Sequence, residues 1–211
     1  SFYLCRWQQE NDIRVTEDFR ADGLERVLYK CPHCLAEGEA KGEGTFWKCS
    51  SCGKSYELTE LGALRAVEGE AAFTHIPDWF AWERQQVEKQ IEEGTYFFED
   101  EVDVYSLPRV WRYIPLGTAK LIHDPEKGFV LQGHYRGEYY YIHRQCAQTN
   151  SLHVEYDFGP LKGVDCLDIS TENDSFYCYP ETKENVVTKL AFATEEIYKL
   201  HLPAKSGAYN I

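Results

Sequence analysis

Methionine is absent from all 211 residues. A translated chain begins with it, so its absence predicts a chain processed or cut from something longer. Long apolar runs are missing too. No stretch approaches the ~20 residues that a membrane span needs, and no apolar leader opens the chain. Positive charge is scarce: 22 Lys plus Arg stand against 35 Asp plus Glu, a formal net charge of −13. Such a surface repels phosphate backbones and anionic headgroups, which disfavours broad nucleic-acid or electrostatic membrane binding. Catalytic signatures are also lacking. There is no GxSxG elbow, no Walker-type loop and no HExxH. Gly42-Glu43-Gly44 runs into Thr45-Phe46-Trp47 and not into a dinucleotide-binding helix. The nearest acid–base pair, His153 and Asp157, would sit some 13 Å apart along a strand at ~3.3 Å per residue.

What is present suffices for a folded protein. The chain is 43% hydrophobic and 15% aromatic, which excludes disorder and low-complexity polymers. Eight cysteines occur, at 5, 31, 34, 49, 52, 146, 166 and 178. Four form two tight pairs and four are scattered, unlike the even framework of a small secreted disulfide domain. The expected setting is therefore reducing and cytoplasmic. Cys166 and Cys178 fall in adjacent expected strands and are read as packed free thiols.

The paired cysteines carry the strongest signal. Cys31-Pro32-His33-Cys34 and Cys49-Ser50-Ser51-Cys52 are separated by fourteen residues. A two-residue spacer lets both sulfurs of a pair reach one ion, and a hairpin of this length returns the second pair opposite the first. Four soft thiolates suit tetrahedral Zn²⁺ and leave no open position for an activated water. The predicted cofactor is thus a structural Zn²⁺ held by Cys31, Cys34, Cys49 and Cys52, in a zinc ribbon. No catalytic residue is assigned. His33 is a bystander inside the first spacer. A redox CxxC would begin a helix, whereas short strands (27–29, 45–47, 55–58) flank these pairs.

The rest of the chain divides by texture. Residues 1–27 form a polar lead-in, with Trp7 and Phe19 as isolated apolar anchors. Residues 28–74 hold the ribbon, and 75–94 a linking helix with Pro77 near its start and Gly94 as its stop. Trp79 and Trp82 on that helix serve either as a brace between domains or as a docking patch. Residues 95–181 read as seven short strands with hairpin spacing. Residues 182–201 read as a closing helix, with Thr182 as N-cap and Val186, Leu190, Ala193, Ile197 and Leu200 as one apolar stripe. Residues 202–211 form a frayed tail. The fold class is α+β, mainly β. Seven antiparallel strands followed by a helix resemble the pleckstrin-homology or GRAM-like barrel; a β-sandwich with a helix on one face is the alternative. Lipid-headgroup binding would require Arg109, Arg112, Lys120, Arg136 and Arg144 to converge.

Several phrases resemble the C-terminal region of bacterial phospholipid/glycerol acyltransferase-like proteins, the lysophospholipid acyltransferases. They are residues 11–17 (NDIRVTE), 19–24 (FRADGL), 27–32 (VLYKCP), 56–62 (YELTELG) and 75–84 (HIPDWFAWER). That family acylates with an HxxxxD motif. The fifth residue after each histidine here is Gly38, Phe80, Gly128, Tyr139, Gln148, Phe158 or Ser206, never Asp. The resemblance therefore implies a non-catalytic appendage of an acyltransferase domain lying before Ser1. The expected partners are that missing domain, a lipid or protein ligand, or a second copy in a homodimer. The expected place is the cytoplasm, peripheral at the inner membrane face. A nucleic-acid-binding zinc ribbon is the alternative, kept open by Lys30, Lys48 and Lys54 but opposed by the acidic run 38–43. An enzyme site built on His143 or His153 with a carboxylate neighbour is a third reading.

Overall fold

A computed structural model of the chain describes residues 2–108 and 112–202. Arg109 and all but the first residue of the expected tail lie outside that range. A four-stranded antiparallel sheet runs in the order β1 (Ala40–Glu43), β2 (Phe46–Cys49), β3 (Ser55–Leu58) and β4 (Leu64–Ala66). Helix α2 (Ile76–Glu92) follows. Then come β5 (Phe98–Ser106), β6 (Ile114–Asp124), β7 (Gly128–Tyr135), β8 (Glu138–Arg144), β9 (His153–Glu155), β10 (Cys166–Ser170) and β11 (Ser175–Pro180). They form one antiparallel sheet in the order β8-β7-β6-β5-β11-β10-β9. Helix α3 (Val187–His201) closes the chain, and α1 (Phe2–Glu10) opens it.

The expected α+β, mainly β class is what forms. The barrel is not: β8 and β9 end the sheet without pairing to each other, so it is open, and helices pack on one face. Alternation, strict along β5, explains that face. Val102, Val104, Leu121, Leu131, Leu167 and Cys178 are all fully buried, and they share one core with Val187, Leu190, Ala193 and Ile197 of α3. Of the apolar stripe expected on the closing helix, only Leu200 escapes burial, at 65% exposure. The helix begins at Val187, later than expected, because residues 181–186 are diverted into a turn. Buried Asp100 on β5 accepts the Thr182 hydroxyl and the amides of Thr182 and Lys183. Thr182 therefore serves that turn, and Val186 is the N-cap.

The lead-in is part of the ribbon. Ala21 and Leu24 lie in its core with Trp47, Tyr56 and Trp79, and the Ala21 amide bonds the Gly44 carbonyl at 2.9 Å. Gly42 is required by close approach, since a Cβ there would stand 2.1 Å from the Ala21 carbonyl oxygen. Trp7 and Phe19, expected as anchors, are 54% and 61% exposed. Residues 27–29 form no strand, and β1 and β4 complete the ribbon sheet instead.

Helix α2 braces the two cores, and its sequence shows how. Trp79, Glu83, Val87 and Ile91 are its buried residues. A ridge of four-residue steps winds by about 40° per step on a 3.6-residue helix. It therefore turns from the ribbon at Trp79 to the sheet at Val87 and Ile91. Phe80 packs against both cores. Arg84 then ties α2 to α3, reaching Glu195 at 2.6 Å and Glu196 at 2.9 Å.

Glu83 is the polar member of this ridge. It is fully buried, and its Oε1 accepts the Lys30 amide at 2.8 Å. Its Oε2 has no partner. Burial pushes its pKa up from the ordinary 4.5 to about 9, against the lowering effect of the amide bonds. The native carboxyl is thus neutral at pH 7, while the unfolded one is ionised. The contribution of this group to stability is full below its unfolded pKa and is lost as pH rises towards the folded value. Glu83→Gln keeps the acceptor and removes the titration. Urea midpoints across that range should show the wild type losing ground to the variant at up to about 1.4 kcal/mol per pH unit. Parallel curves would show that Glu83 is already ionised in the native protein.

Candidate metal centre

The two cysteine pairs converge. The sulfurs of Cys31, Cys34, Cys49 and Cys52 all lie within 4.8 Å of one another. Cys31 and Cys52 stand 3.6 Å apart, and Cys34 and Cys49 3.7 Å. Tetrahedral ligands at ~2.3 Å from a metal would be separated by about 3.8 Å, so the spacing fits one ion. All four predicted ligands are brought together. Cys31 and Cys49 are buried, and Cys34 and Cys52 exposed. The donor set fits a soft metal of tetrahedral preference and leaves no ligand position open.

The two knuckles are built alike. Leu35 N–H bonds the Cys31 carbonyl at 2.9 Å, and Gly53 N–H the Cys49 carbonyl at 3.0 Å. Cys31 N–H bonds the Ala36 carbonyl, and Cys49 N–H the Lys54 carbonyl, each at 2.9 Å. Each turn needs a left-handed residue after its second cysteine: Leu35 at φ 64° and Gly53 at φ 75°. Glycine meets that need without strain, whereas leucine does not. Neither knuckle begins a helix, which removes the structural basis of a redox CxxC.

The electrostatics also call for a cation. Burial drives the Cys31 thiol up to about 12 and raises that of Cys49. Only Cys52 is lowered, chiefly by the Lys54 amide. A dication bound among the four sulfurs would favour their thiolate forms against that burial. His33 stays outside the ligand set. Its Nε2 bonds the Tyr56 hydroxyl at 2.7 Å, with Tyr56 in the ribbon core.

The first knuckle is also bound to both helices. The Trp79 indole N–H donates to the Lys30 carbonyl at 2.9 Å, so Trp79 is a buried brace and not a docking patch. Glu37 joins Lys30 at 3.1 Å and Lys189 of α3 at 2.6 Å. The Thr188 hydroxyl donates to the Arg26 carbonyl at 2.6 Å. Nothing in the sequence pattern pointed to Glu37 or Lys189, because the pair spans 152 residues.

Other expected groups do not assemble. Lys30 is buried, and Lys54 donates to the Glu68 carbonyl at 3.0 Å, which leaves Lys48 alone of the three ribbon lysines considered for nucleic acid. Lys120 pairs with Glu99 at 2.7 Å. Arg136 covers the Tyr135 ring in the β7–β8 turn, while Arg144 pairs with Phe129 at the far end of β8. Lys120, Arg136 and Arg144 of the basic cluster considered for a lipid headgroup therefore do not converge. His143 is exposed and bonded to the Lys127 carbonyl at 2.6 Å. His153 is exposed on an edge strand, opposite Asp168 and away from Asp157. Cys166 and Cys178 do not face each other, because Cys178 pairs with Leu167 and Cys166 points to the other side. Both are free, as expected.

A cleft of about 1620 Å³ opens between the ribbon and the turn before α3. Its walls include Lys41, Phe46 and Lys48 on one side and Asp165, Glu181 and Glu184 on the other, with no histidine or cysteine. No helix among the described residues is long and apolar enough to cross a membrane. No protein-family model, curated protein or solved structure matches the chain.

Three outcomes test the centre. Cys31→Ser or Cys49→Ser should abolish stoichiometric metal, read by elemental analysis, and acidification should release metal as the thiolates take up protons. Gly53→Ala meets no atom within 4 Å. It should nonetheless destabilise the ribbon by about 1–2 kcal/mol in thermal unfolding through its left-handed backbone alone.

Proposed function

We propose that this chain is a non-catalytic interaction module in which one structural Zn²⁺ locks a ribbon onto a one-sided β-sheet. The observation that carries this reading is the meeting of four thiol sulfurs within 4.8 Å, in a knuckle also bonded to α2 and α3. Zinc is the metal of choice for such a set, because it has no redox chemistry and accepts tetrahedral geometry without strain. With four protein ligands the metal serves as scaffold. Its binding energy supplements a ribbon core too small to stand alone.

On this reading the cleft beside the ribbon, which carries neither histidine nor cysteine, and the exposed histidines of β8 and β9 outside it have no catalytic part. The link to an acyltransferase rests on the resemblance alone. On that reading the HxxxxD domain belongs to another part of the protein, and this module positions or regulates it.

Elemental analysis of the purified chain should return one zinc per polypeptide, and chelation should melt the ribbon cooperatively. Zinc in small ribbons contributes roughly 10–16 kcal/mol at pH 7. A metal-free chain of unchanged stability would end the proposal. The chain should also show no acyl transfer from acyl-CoA or acyl carrier protein to lysophosphatidate; sustained turnover would make it an enzyme.

A further inference from the structure

The seven-stranded sheet has a second face, and no helix among the described residues lies on it. One row across it reads His153, Asp168, Tyr177 and Tyr105, in register from β9 through β10 and β11 to β5. The neighbouring positions on the same face include Glu155, Tyr179 and Asp103. Tyr113 and Tyr177 meet edge-on, with centroids 5.4 Å apart, and Tyr105 and Tyr179 do so at 5.7 Å. Phe158 lies 5.9 Å from Tyr177 and is 41% exposed. Carboxylates are interleaved with these rings. Among the described residues, no lysine or arginine forms a salt bridge with Glu101, Asp103, Glu155 or Asp168.

Rings and unpaired carboxylates side by side define a chemistry. Aromatic faces attract cations, and guanidinium does best because it is flat, stacks, and gives two parallel hydrogen bonds to a carboxylate. Phosphate-bearing partners are repelled by the same charges. We propose that this face docks an arginine-rich segment of a partner protein, seating guanidinium groups among Tyr105, Tyr113 and Tyr177 and against Asp103, Glu155 and Asp168. The inference rests on the reading of the chain as an interaction module and uses none of the metal ligands. Zinc content measured on the same samples therefore separates failure of one from failure of the other.

The test is fluorescence anisotropy of a labelled nona-arginine peptide titrated with the full zinc-loaded chain, beside nona-lysine and nona-glutamate. Nona-arginine should bind, nona-lysine more weakly by about five-fold, and nona-glutamate not at all. The triple variant D103N/E155Q/D168N should weaken binding by about ten-fold or more. The triple variant E68Q/E70Q/E88Q removes three exposed charges elsewhere and should change binding by less than about two-fold. Y177A should weaken binding at unchanged net charge. Equal loss in both triple variants, or equal affinity for lysine and arginine peptides, would overturn the proposal. So would no binding at low salt. Amide exchange on the unaltered chain covers any variant that misfolds. Protection on peptide addition should fall on residues 103–106, 153–155, 166–168 and 175–179, and protection confined to the cleft side would overturn the assignment.

Discussion

The ten residues from Tyr29 to Gly38 are held from three directions at once, and the rest of the structure depends on them. The segment turns back on itself through the Gly38 amide on the Tyr29 carbonyl, and it presents Cys31 and Cys34 to the centre. The Lys30 backbone is clamped on α2, its N–H by Glu83 and its carbonyl by Trp79. Glu37 reaches α3 through Lys189. A Cβ on Gly38 would lie 2.6 Å from the Glu184 carbonyl oxygen, so the segment is also seated closely on the turn before α3. A short loop cannot meet such demands from its own apolar burial, because it has few side chains to bury and much backbone to order. A metal held by Cys31 and Cys34 of the segment and by Cys49 and Cys52 would meet them before any packing is counted. Such a metal would fix the register between ribbon and sheet as well as the ribbon itself.

The polar groups at the joints are consistent with this. Glu83, Asp100 and His123 are each buried and each sits where a loop or helix meets a core. Asp100 holds the turn before α3. His123 is stacked on Phe129 at 3.9 Å and bonded through Nδ1 to the Tyr96 hydroxyl at 2.9 Å. Burial pushes the His123 pKa down to about 3, so the ring is neutral and acts as a hydrogen-bonding plate. Its stabilising share is lost as pH falls below the ordinary histidine range, opposite in sign to Glu83. Such groups cost desolvation, and each is tolerable only while its partner stays in place. Sliding the ribbon or α3 would leave them unpaired. They thus specify one arrangement where apolar contacts alone would accept several.

The sequence made local features legible and left non-local ones hidden. The cysteine cluster was readable because CxxC spacing is a statement about one turn of chain, repeated. Seven strands were readable because alternation and turn residues act over a few positions. The start of α3 was misjudged for the same reason. Thr182 has the chemistry of an N-cap but meets Asp100, 82 residues away. Openness of the sheet was beyond reach, since closure depends on whether β8 and β9 meet and no residue in either records it. Leu35 is the instructive failure inside the site. Glycine at 53 suits a left-handed backbone, whereas leucine at the equivalent position carries no sign of one.

One consequence joins the two halves. Helices α2 and α3 pack on one face of the sheet, and the other is only partly covered, with Val130, Cys166 and Tyr179 buried on it. Its acidic residues were free to fall anywhere on the surface, yet Glu101, Asp103, Glu155 and Asp168 share the side away from the helices with a row of tyrosines. Solubility alone is met more simply by flexible carboxylates beside lysines, as with Glu99 and Lys120. Tyrosines ordered edge to edge have already lost most of their rotamer freedom, so a ligand landing on them gives up little more. A rigid ring array backed by a packed core is a preorganised surface, and preorganisation lowers what a partner must give up on binding.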